Sequence, residues 1–155
     1  MTGNVQTIHF IHFRSKGKDY VLDLKYIKEI IRMASLSRID ELPAFVRGVI
    51  NLRGESLPVV DFVDRAGGEP TAITLRSRIM VMRMGEVSFG LLVDDVVETL
   101  AVDRSQISGN VQSDVVINPK YIAGTFYEGD HLLIWVDALK LFTASEFKKL
   151  EEGSH

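Results

Sequence analysis

The feature that most constrains the fold of this chain is an internal repeat of two segments in the same order. The segment YVLDLKYIKEII, which begins at Tyr20, resembles FGLLVDDVVETL, which begins at Phe89, and both carry a glutamate at the same distance from the aromatic residue, at Glu29 and Glu98. Further along each copy, VRGVINLRGESLPVVD resembles IAGTFYEGDHLLIWVD. Two matches in the same order predict a fold built from two related halves, each with the same series of structural elements.

The second pair of segments also predicts where two aspartates lie. The interval from the first glycine to the final aspartate is the same in both, from Gly48 to Asp61 and from Gly124 to Asp137. Each aspartate directly follows an apolar run that is typical of a buried strand. We therefore expect Asp61 and Asp137 to occupy equivalent positions and to cap the ends of their strands.

Most of the remaining pattern is typical of short strands. The segment VQTIHFIHF alternates between more and less apolar residues, which indicates a half-buried strand. Turn glycines in MGE and EGD divide later apolar runs into hairpins. Small closed barrels remove the exposed edges that so many short strands would otherwise leave. The predicted fold is therefore mainly β, with two small barrels packed on each other, barrel 1 over about residues 14–78 and barrel 2 over about residues 79–142.

The C-terminal part of the chain carries the clearest helix signal. In DALKLFTASEFKKLEE, Thr143 or Ser145 can cap a short helix over about residues 143–152, with basic residues toward its end. The length of 155 residues fits one domain, which we place at residues 5–150. The final GSH, residues 153–155, resembles the remnant of an expression tag.

Composition and charge exclude several classes of function. The chain contains no cysteine, so it has neither disulfides nor thiolate metal sites. Its net charge of −3 argues against a nucleic-acid-binding protein, which usually shows a basic stripe. No apolar run reaches the roughly 20 residues that span a bilayer, and no signal peptide is visible. We therefore predict a cytoplasmic protein without direct membrane insertion.

Four aspartates, Asp61, Asp94, Asp95 and Asp137, raise the alternative of an enzyme with paired carboxylates or a metal site. Asp94 and Asp95 are adjacent, so in a strand they point to opposite faces. The chain also lacks a phosphate-binding loop, a His-Glu metal spacing and a nucleophile elbow. We therefore predict no catalytic residues, no metal and no cofactor.

One charged residue interrupts an apolar stretch and calls for a specific explanation. In VRGVINLRGESLPVVDF, Arg53 stands between two apolar runs, next to Gly54. It either presents its planar guanidinium to a partner or a nearby carboxylate, or forms a purely structural ion pair or carbonyl clamp. Gly48 and Gly54 indicate turns, bulges or a close backbone approach. Upstream, the run YIKEII carries more aliphatic surface than one short element buries, so part of it is a candidate contact patch.

These residues also match a known family. The segment LPAFVRGVINLRGESLPVVDF resembles the CheW-like domain, an adaptor module of bacterial chemotaxis, because it contains the Gly-Val-x-Asn-Leu-Arg-Gly block and the later Pro-aliphatic-aliphatic-Asp, ending at Asp61. The resemblance extends to DYVLDLKYIKEII, FGLLVDDVVETL and YIAGTFYEGDHLLIWVDALKLF, and so covers nearly the whole chain. It implies two five-stranded SH3-like β-barrels, related by a pseudo-twofold axis around a shared core, and a short C-terminal helix.

The resemblance implies a non-catalytic chemotaxis adaptor. Proteins of this family couple the cytoplasmic tips of methyl-accepting chemoreceptors to the regulatory domain of the histidine kinase CheA, which is itself CheW-like. The implied partners are therefore the kinase and the receptors, and the implied place of action is the cytoplasmic side of membrane-bound receptor arrays. Carried over by motif, the protein-interaction positions are Ile27, Glu29, Gly48, Arg53 and Gly90.

Two other interpretations remain open from the sequence. One is the CheW-like module of a CheV-type protein without its receiver domain. The other is a small barrel that binds oligonucleotides or oligosaccharides, which would need exposed aromatic residues and a basic groove. Only 8% of the residues are aromatic and the net charge is negative, which argues against this second interpretation.

Overall fold

The structure is a computed structural model that describes residues 6–38, 41–109 and 117–153. The described residues form ten β-strands and two α-helices, connected by turns and short 3₁₀ segments. The strands are β1 (Thr7–Ser15), β2 (Lys18–Asp23), β3 (Ile27–Arg32), β4 (Val46–Leu52), β5 (Glu55–Asp61), β6 (Arg78–Met84), β7 (Val87–Val93), β8 (Asp95–Asp103), β9 (Ile122–Glu128) and β10 (His131–Val136). The helices are α1 (Phe62–Arg65) and α2 (Ala144–Gly153), and neither is long and apolar enough to cross a membrane.

The strands form two five-stranded sheets. One sheet has the strand order β8-β1-β2-β10-β9, and the other has the order β3-β6-β7-β5-β4. A single bridge between its two edges closes each sheet into a small barrel. In the first sheet, Ser108, which follows β8, pairs with Thr125 of β9, and in the second sheet, Ser37, which follows β3, pairs with Val49 of β4. We call the barrel of β3–β7 the central barrel and the barrel of β1, β2 and β8–β10 the terminal barrel. These two five-stranded units and the C-terminal helix confirm the predicted fold class.

The division of the chain between the two barrels differs from the prediction. The central barrel takes one continuous segment, residues 27–93, and the terminal barrel takes the strands on both sides of it. The predicted barrels over residues 14–78 and 79–142 are therefore wrong, because that division assumed that each repeat closes its own barrel. Instead, each repeat contributes strands to both barrels, since β2 pairs in parallel with β10, and β5 pairs in parallel with β7.

The repeat itself is confirmed by the order of the strands. Exchanging β1–β5 with β6–β10, one for one, converts the order of the first sheet into the order of the second. The two aspartates also occupy the predicted equivalent positions. Asp61 caps α1 by accepting the N–H of Asp64, and Asp137 caps a 3₁₀ turn by accepting the N–H of Leu139.

Three apolar cores hold this arrangement together. Each barrel has a small core of its own, and a larger third core contains residues from both barrels. Its centre is aromatic, because Phe13 and Tyr20 of the terminal barrel both pack edge-on against Phe62 of α1, each with a ring-centroid distance of 5.0 Å. Fully burying one such side chain stabilises a fold by about 1.5–3 kcal/mol. Burial also raises the pKa of Tyr20 to about 12.

Asp61 does more than cap a helix, and the sequence pattern did not predict its second role. The residue is only 2% exposed. Its carboxylate accepts hydrogen bonds from the Arg47 guanidinium at 2.6 Å, from the Thr71 N–H at 2.6 Å and from the Thr71 hydroxyl at 2.8 Å. Arg47 also donates to the carbonyl oxygen of Thr71 at 2.8 Å. These bonds fasten the loop between α1 and β6 to the central barrel.

Helix α2 is attached to the rest of the protein through Arg65. The helix begins with a capping box, in which the Thr143 hydroxyl accepts the N–H of Glu146 and the Glu146 carboxylate accepts the N–H of Thr143. Arg65 makes two hydrogen bonds to the same carboxylate, at 2.6 and 2.8 Å, and a third to the carbonyl oxygen of Leu141. Burial by itself would raise the pKa of Glu146, but the Thr143 N–H and the Arg65 guanidinium outweigh it and lower that pKa. Of the two predicted caps, Thr143 is therefore the one used, and the helix includes Gly153.

Removing Asp61 should destabilise the protein much more than removing its equivalent in the second repeat. We expect Asp61→Ala to lower the free energy of unfolding by about 3–5 kcal/mol, because it leaves Arg47 and the Thr71 N–H without their buried partner. Asp137→Ala, the matched control, removes a turn cap and should cost about 1 kcal/mol. Chemical denaturation measures both values, and equal losses would contradict the distinct role of Asp61.

The pair of Arg65 and Glu146 should make stability depend on pH. We expect Glu146→Gln to lower the free energy of unfolding at neutral pH by about 1.5–3 kcal/mol, the usual contribution of hydrogen bonds to a charged group. The folded pKa of Glu146 is lowered, so its contribution is complete above the unfolded pKa of about 4.3 and is lost as the pH falls through the lower folded pKa. The difference in stability between the wild type and the variant should therefore shrink in acid.

Denaturation curves recorded from neutral pH into acid test this dependence. Glu151→Gln is the control, because Glu151 lies on the same helix but is exposed, and it should change stability by no more than about 0.5 kcal/mol. A difference between wild type and Glu146→Gln that stays constant over the whole pH range would show that the ion pair does not stabilise the helix.

Candidate protein-interaction surface

Arg53 lies at the tip of the hairpin that joins β4 and β5. The turn residues Arg53 and Gly54 both have positive φ, 51° and 86°, as a two-residue type I′ hairpin requires. The Asn51 side chain accepts the N–H of Gly54 at 3.0 Å and so stabilises the turn. The Arg53 side chain is 68% exposed, whereas most residues of β4 and β5 are buried. The arginine interrupts the apolar sequence because the chain leaves the core and reverses at this point.

Arg53 forms an ion pair with Glu29 on β3. The Glu29 side chain is 31% exposed, so both charges of the pair are accessible to solvent. Exposed ion pairs of this kind stabilise a fold by only about 0–1 kcal/mol. The charges of Arg53 and Glu29 can therefore interact with a second molecule at little cost to the stability of the protein itself.

Strand β3 exposes part of the apolar surface that the sequence suggested. Ile27 packs against the core that both barrels share, and Ile31 packs against the core of the central barrel. Ile30 is 39% exposed. The predicted apolar contact patch is therefore smaller than the sequence alone suggests, and it lies on the same strand as Glu29.

Gly48 and Gly90 are buried and shape the central barrel from within. A Cβ atom at Gly48 would lie 2.9 Å from Leu36 Cβ and 3.0 Å from the carbonyl oxygen of Ser37, and a Cβ atom at Gly90 would lie 2.5 Å from Ile79 Cγ2. These separations are shorter than the roughly 3.5–4.0 Å of favourable carbon contacts. The close approach predicted for Gly48 is confirmed. The structure thus brings Glu29 and Arg53 together at the surface, while these two glycines act on that surface only through the positions of their strands.

A second exposed apolar segment was missed in the sequence. Residues 72–76, between α1 and β6, include Ile73, which is 47% exposed, and Leu75, which is 99% exposed. The surrounding segment RAGGEPTAITLRS is typical of a loop, because glycine and proline mark irregular structure. The signal that could have identified it is the pair of aliphatic residues in an otherwise polar loop, since a loop has no core of its own in which to bury them.

Three of the four aspartates that raised the enzyme alternative have structural roles. Asp61 and Asp137 act as caps, and Asp94 accepts the backbone N–H of Lys16 at 2.8 Å. Within residues 6–38, 41–109 and 117–153, no three His, Asp or Glu side chains form a group that could hold a metal ion. What the surface around Arg53 offers to another molecule is a pair of opposite charges that solvent can reach.

Comparison with known proteins identifies the family. The family model described as CheW-like domain matches residues 9–146. The chemotaxis protein CheW of Klebsiella aerogenes is 27% identical over 94% of this chain and 88% of its own length, and that of Thermotoga maritima is 30% identical over 84% of this chain and 85% of its own. The crystal structure of the scaffolding protein TtCheW from Thermoanaerobacter tengcongensis has a TM-score of 0.78 and 26% identity, over 94% of each chain. The chain therefore belongs to the CheW-like domain family, a family of non-catalytic chemotaxis scaffolds, as its sequence motifs predicted.

Proposed function

We propose that this protein couples the cytoplasmic tips of chemoreceptors to the regulatory domain of the histidine kinase CheA. We further propose that the surface formed by Ile27, Glu29 and Arg53, here called the hairpin face, binds one of these two partners. The observation that carries the proposal is the exposed ion pair between Arg53 and Glu29 at the tip of a well-defined turn. Such an adaptor would act in the cytoplasm and be recruited to membrane-bound receptor arrays.

The hairpin face combines features that a specific and reversible protein contact needs. The planar guanidinium of Arg53 can make two parallel hydrogen bonds to a carboxylate of a partner. Glu29 places the opposite charge beside it, so a partner fits in one orientation better than in the reverse orientation. Complementary charges of this kind determine specificity and the rate of association more than affinity.

A partner can replace the ion pair at low cost. Because the exposed pair stabilises the free protein by only about 0–1 kcal/mol, an intermolecular hydrogen bond to either side chain readily offsets its loss. The two buried glycines contribute indirectly. Gly48 lies on β4, which leads into the hairpin, and Gly90 lies on β7, which pairs with β5 on the other side of the turn. Bulkier side chains there would displace the hairpin and alter the face.

Reversing the charge of Arg53 should weaken binding without unfolding the protein. We expect Arg53→Glu to reduce affinity for the kinase regulatory domain or for a receptor-tip fragment by at least about tenfold. The partner group that faces a cation in the wild type would face a like charge in the variant. The free energy of unfolding should change by no more than about 1 kcal/mol, since the pair with Glu29 is exposed. Isothermal titration calorimetry measures the affinities, and chemical denaturation measures the stability.

A charge swap distinguishes recognition by a partner from a purely internal role. Arg53→Glu combined with Glu29→Arg restores the internal ion pair but reverses the charges that a partner meets. If the pair only shapes the turn, the swap should recover wild-type affinity, and the proposal fails. Arg83→Glu is the matched control, because Arg83 is 50% exposed and pairs with Glu86 at 3.8 Å on a different hairpin of the same barrel. It should leave the affinity for both partners unchanged.

A further inference from the structure

We propose that one end of the terminal barrel binds the C-terminus of a peptide chain, with the terminal carboxylate on Arg104 and an apolar last side chain against Trp135. The site lies where β1 begins and where β2, β8 and β10 end, and residues of these four segments line a cleft of about 580 Å³. The inference goes beyond the proposed function and does not depend on it, because the cleft shares no residue with the hairpin face.

Arg104 supplies a cation that the described part of the protein does not neutralise. Its backbone N–H donates to the carbonyl oxygen of Gln6 at 2.8 Å, which fixes the residue beside the start of β1. Its guanidinium lies over the Trp135 ring, 5.9 Å from the ring centroid. Among the described residues, no side-chain hydrogen bond or ion pair engages this guanidinium. A planar guanidinium held on an aromatic face keeps its N–H donors for a carboxylate.

The other two charged residues in the lining of the cleft balance each other. The ammonium group of Lys25 lies 3.7 Å from the carboxylate of Asp23, which also accepts the backbone N–H of Lys25 at 3.1 Å. The Asp23 side chain is only 22% exposed. The remaining titratable residue of the lining, His9, carries no negative charge in either protonation state. The cleft therefore keeps one cation, Arg104, without a counter-charge, and this favours an anionic group.

Trp135 gives the cleft an apolar floor that the fold itself does not require. Its ring packs edge-on against Phe10, with a centroid distance of 5.3 Å, but the residue remains partly exposed. In the first repeat the equivalent position, two residues before the aspartate, holds Val59, which is fully buried. Ile8 and Leu24, both half-buried, extend the apolar lining. Covering this lining with an aliphatic or aromatic side chain is favourable, because apolar surface is removed from water.

The backbone of Thr7 favours a peptide over a small organic acid. Because Gln6 bonds to Arg104, and backbone groups alternate in direction along an antiparallel pair, Thr7 directs its N–H and C=O away from β8. On that side β2 has already ended, since the last pair between β1 and β2 is Phe10 with Asp23. No described residue pairs with Thr7 there. Its N–H and C=O can therefore bond to the backbone of an extended peptide.

A chain end fits these features better than an acidic residue within a chain. The cleft places a guanidinium, an indole and an open backbone position side by side. Only a C-terminal residue carries a carboxylate, an apolar side chain and a backbone amide together. An internal aspartate or glutamate has its carboxylate on the side chain, so it has no apolar side chain to place on Trp135. Capture of a terminal carboxylate by protein groups is a recurring mode of peptide recognition.

Trp135 makes a direct test possible, because it is the only tryptophan of the chain and its fluorescence reports on the cleft itself. The full chain is titrated with the pentapeptides acetyl-ATAVL and acetyl-ATAVF, each with a free C-terminal carboxylate, and with the same peptides as C-terminal amides. We expect the amides to bind at least about tenfold more weakly, the usual effect of losing a hydrogen bond between charged groups. Acetyl-leucine, which has the carboxylate and the side chain but not the peptide backbone, should also bind more weakly than acetyl-ATAVL.

Three variants assign the contacts. Arg104→Gln removes the cation from an exposed side chain and should weaken binding of the free acids by at least about tenfold, with the amides changed by no more than about twofold. Thr7→Pro removes the N–H that faces the cleft but no bond between β1 and β8, so it should weaken binding of the pentapeptides and not of acetyl-leucine. Thr7→Ala keeps this N–H and is the matched control.

Several outcomes would overturn the inference. They are equal affinity for the free acids and the amides, wild-type affinity in a folded Arg104→Gln variant, and the absence of both a fluorescence change and heat of binding at millimolar peptide. Acetyl-leucine that binds as tightly as acetyl-ATAVL would overturn the assignment to a chain end. Circular dichroism confirms that each variant is folded, and Arg53→Glu, on the hairpin face, should leave every affinity in this series unchanged. The test uses neither the kinase nor a receptor fragment, so failure of the proposed function would leave its result unaffected.

Discussion

The structure depends on the core that the two barrels share, and that core depends on the exchange of strands between the repeats. Each barrel is completed by a parallel pair with a strand of the other repeat, in which Tyr20 is paired with Ile134 and Leu91 with Val60. All four side chains also belong to the shared core. The positions that join the repeats by hydrogen bonds are thus the positions that join the barrels by packing. Separating the barrels would break both kinds of contact at once.

This coupling gives the exposed surfaces a fixed base. The hairpin with Arg53 extends from β4 and β5, which contribute to the apolar cores, and the loop between α1 and β6 is fastened to the same barrel through Asp61. Helix α2 is held by a different contact. Arg65, the last residue of α1, binds Glu146 of α2. Proteins that bind through preformed surfaces lose less entropy on association than those that must order a loop.

The features that depend on spacing along the chain could be predicted from the sequence. Those that depend on which distant segments pair with each other could not. Equal intervals from Gly48 to Asp61 and from Gly124 to Asp137 located equivalent hairpins and caps, because a repeated local pattern forms the same local structure. The boundary between the barrels was not predictable in this way, since a strand shows the same alternation whichever sheet it joins. The buried bonds of Asp61 and the pairing of Arg53 with Glu29 were also beyond local pattern. The pairing of β4 with β5 and the path of the next loop bring Arg47 and Thr71 to Asp61, and closure of the barrel brings β3, with Glu29, beside the hairpin.

Two arginines of one hairpin, each paired with a carboxylate, show how burial assigns different roles to the same chemistry. At the base of β4, Arg47 binds Asp61, which is 2% exposed, and losing one member of a buried pair costs several kcal/mol because the other charge remains without a partner. At the tip, Arg53 binds Glu29 where both are open to water, and the same loss costs about 1 kcal/mol or less. The pair at the base therefore holds the loop between α1 and β6, and a partner could not open it without unfolding that region. The pair at the tip can be opened by any partner that offers a better carboxylate or cation, so of these two arginines Arg53 is the one that a partner can engage.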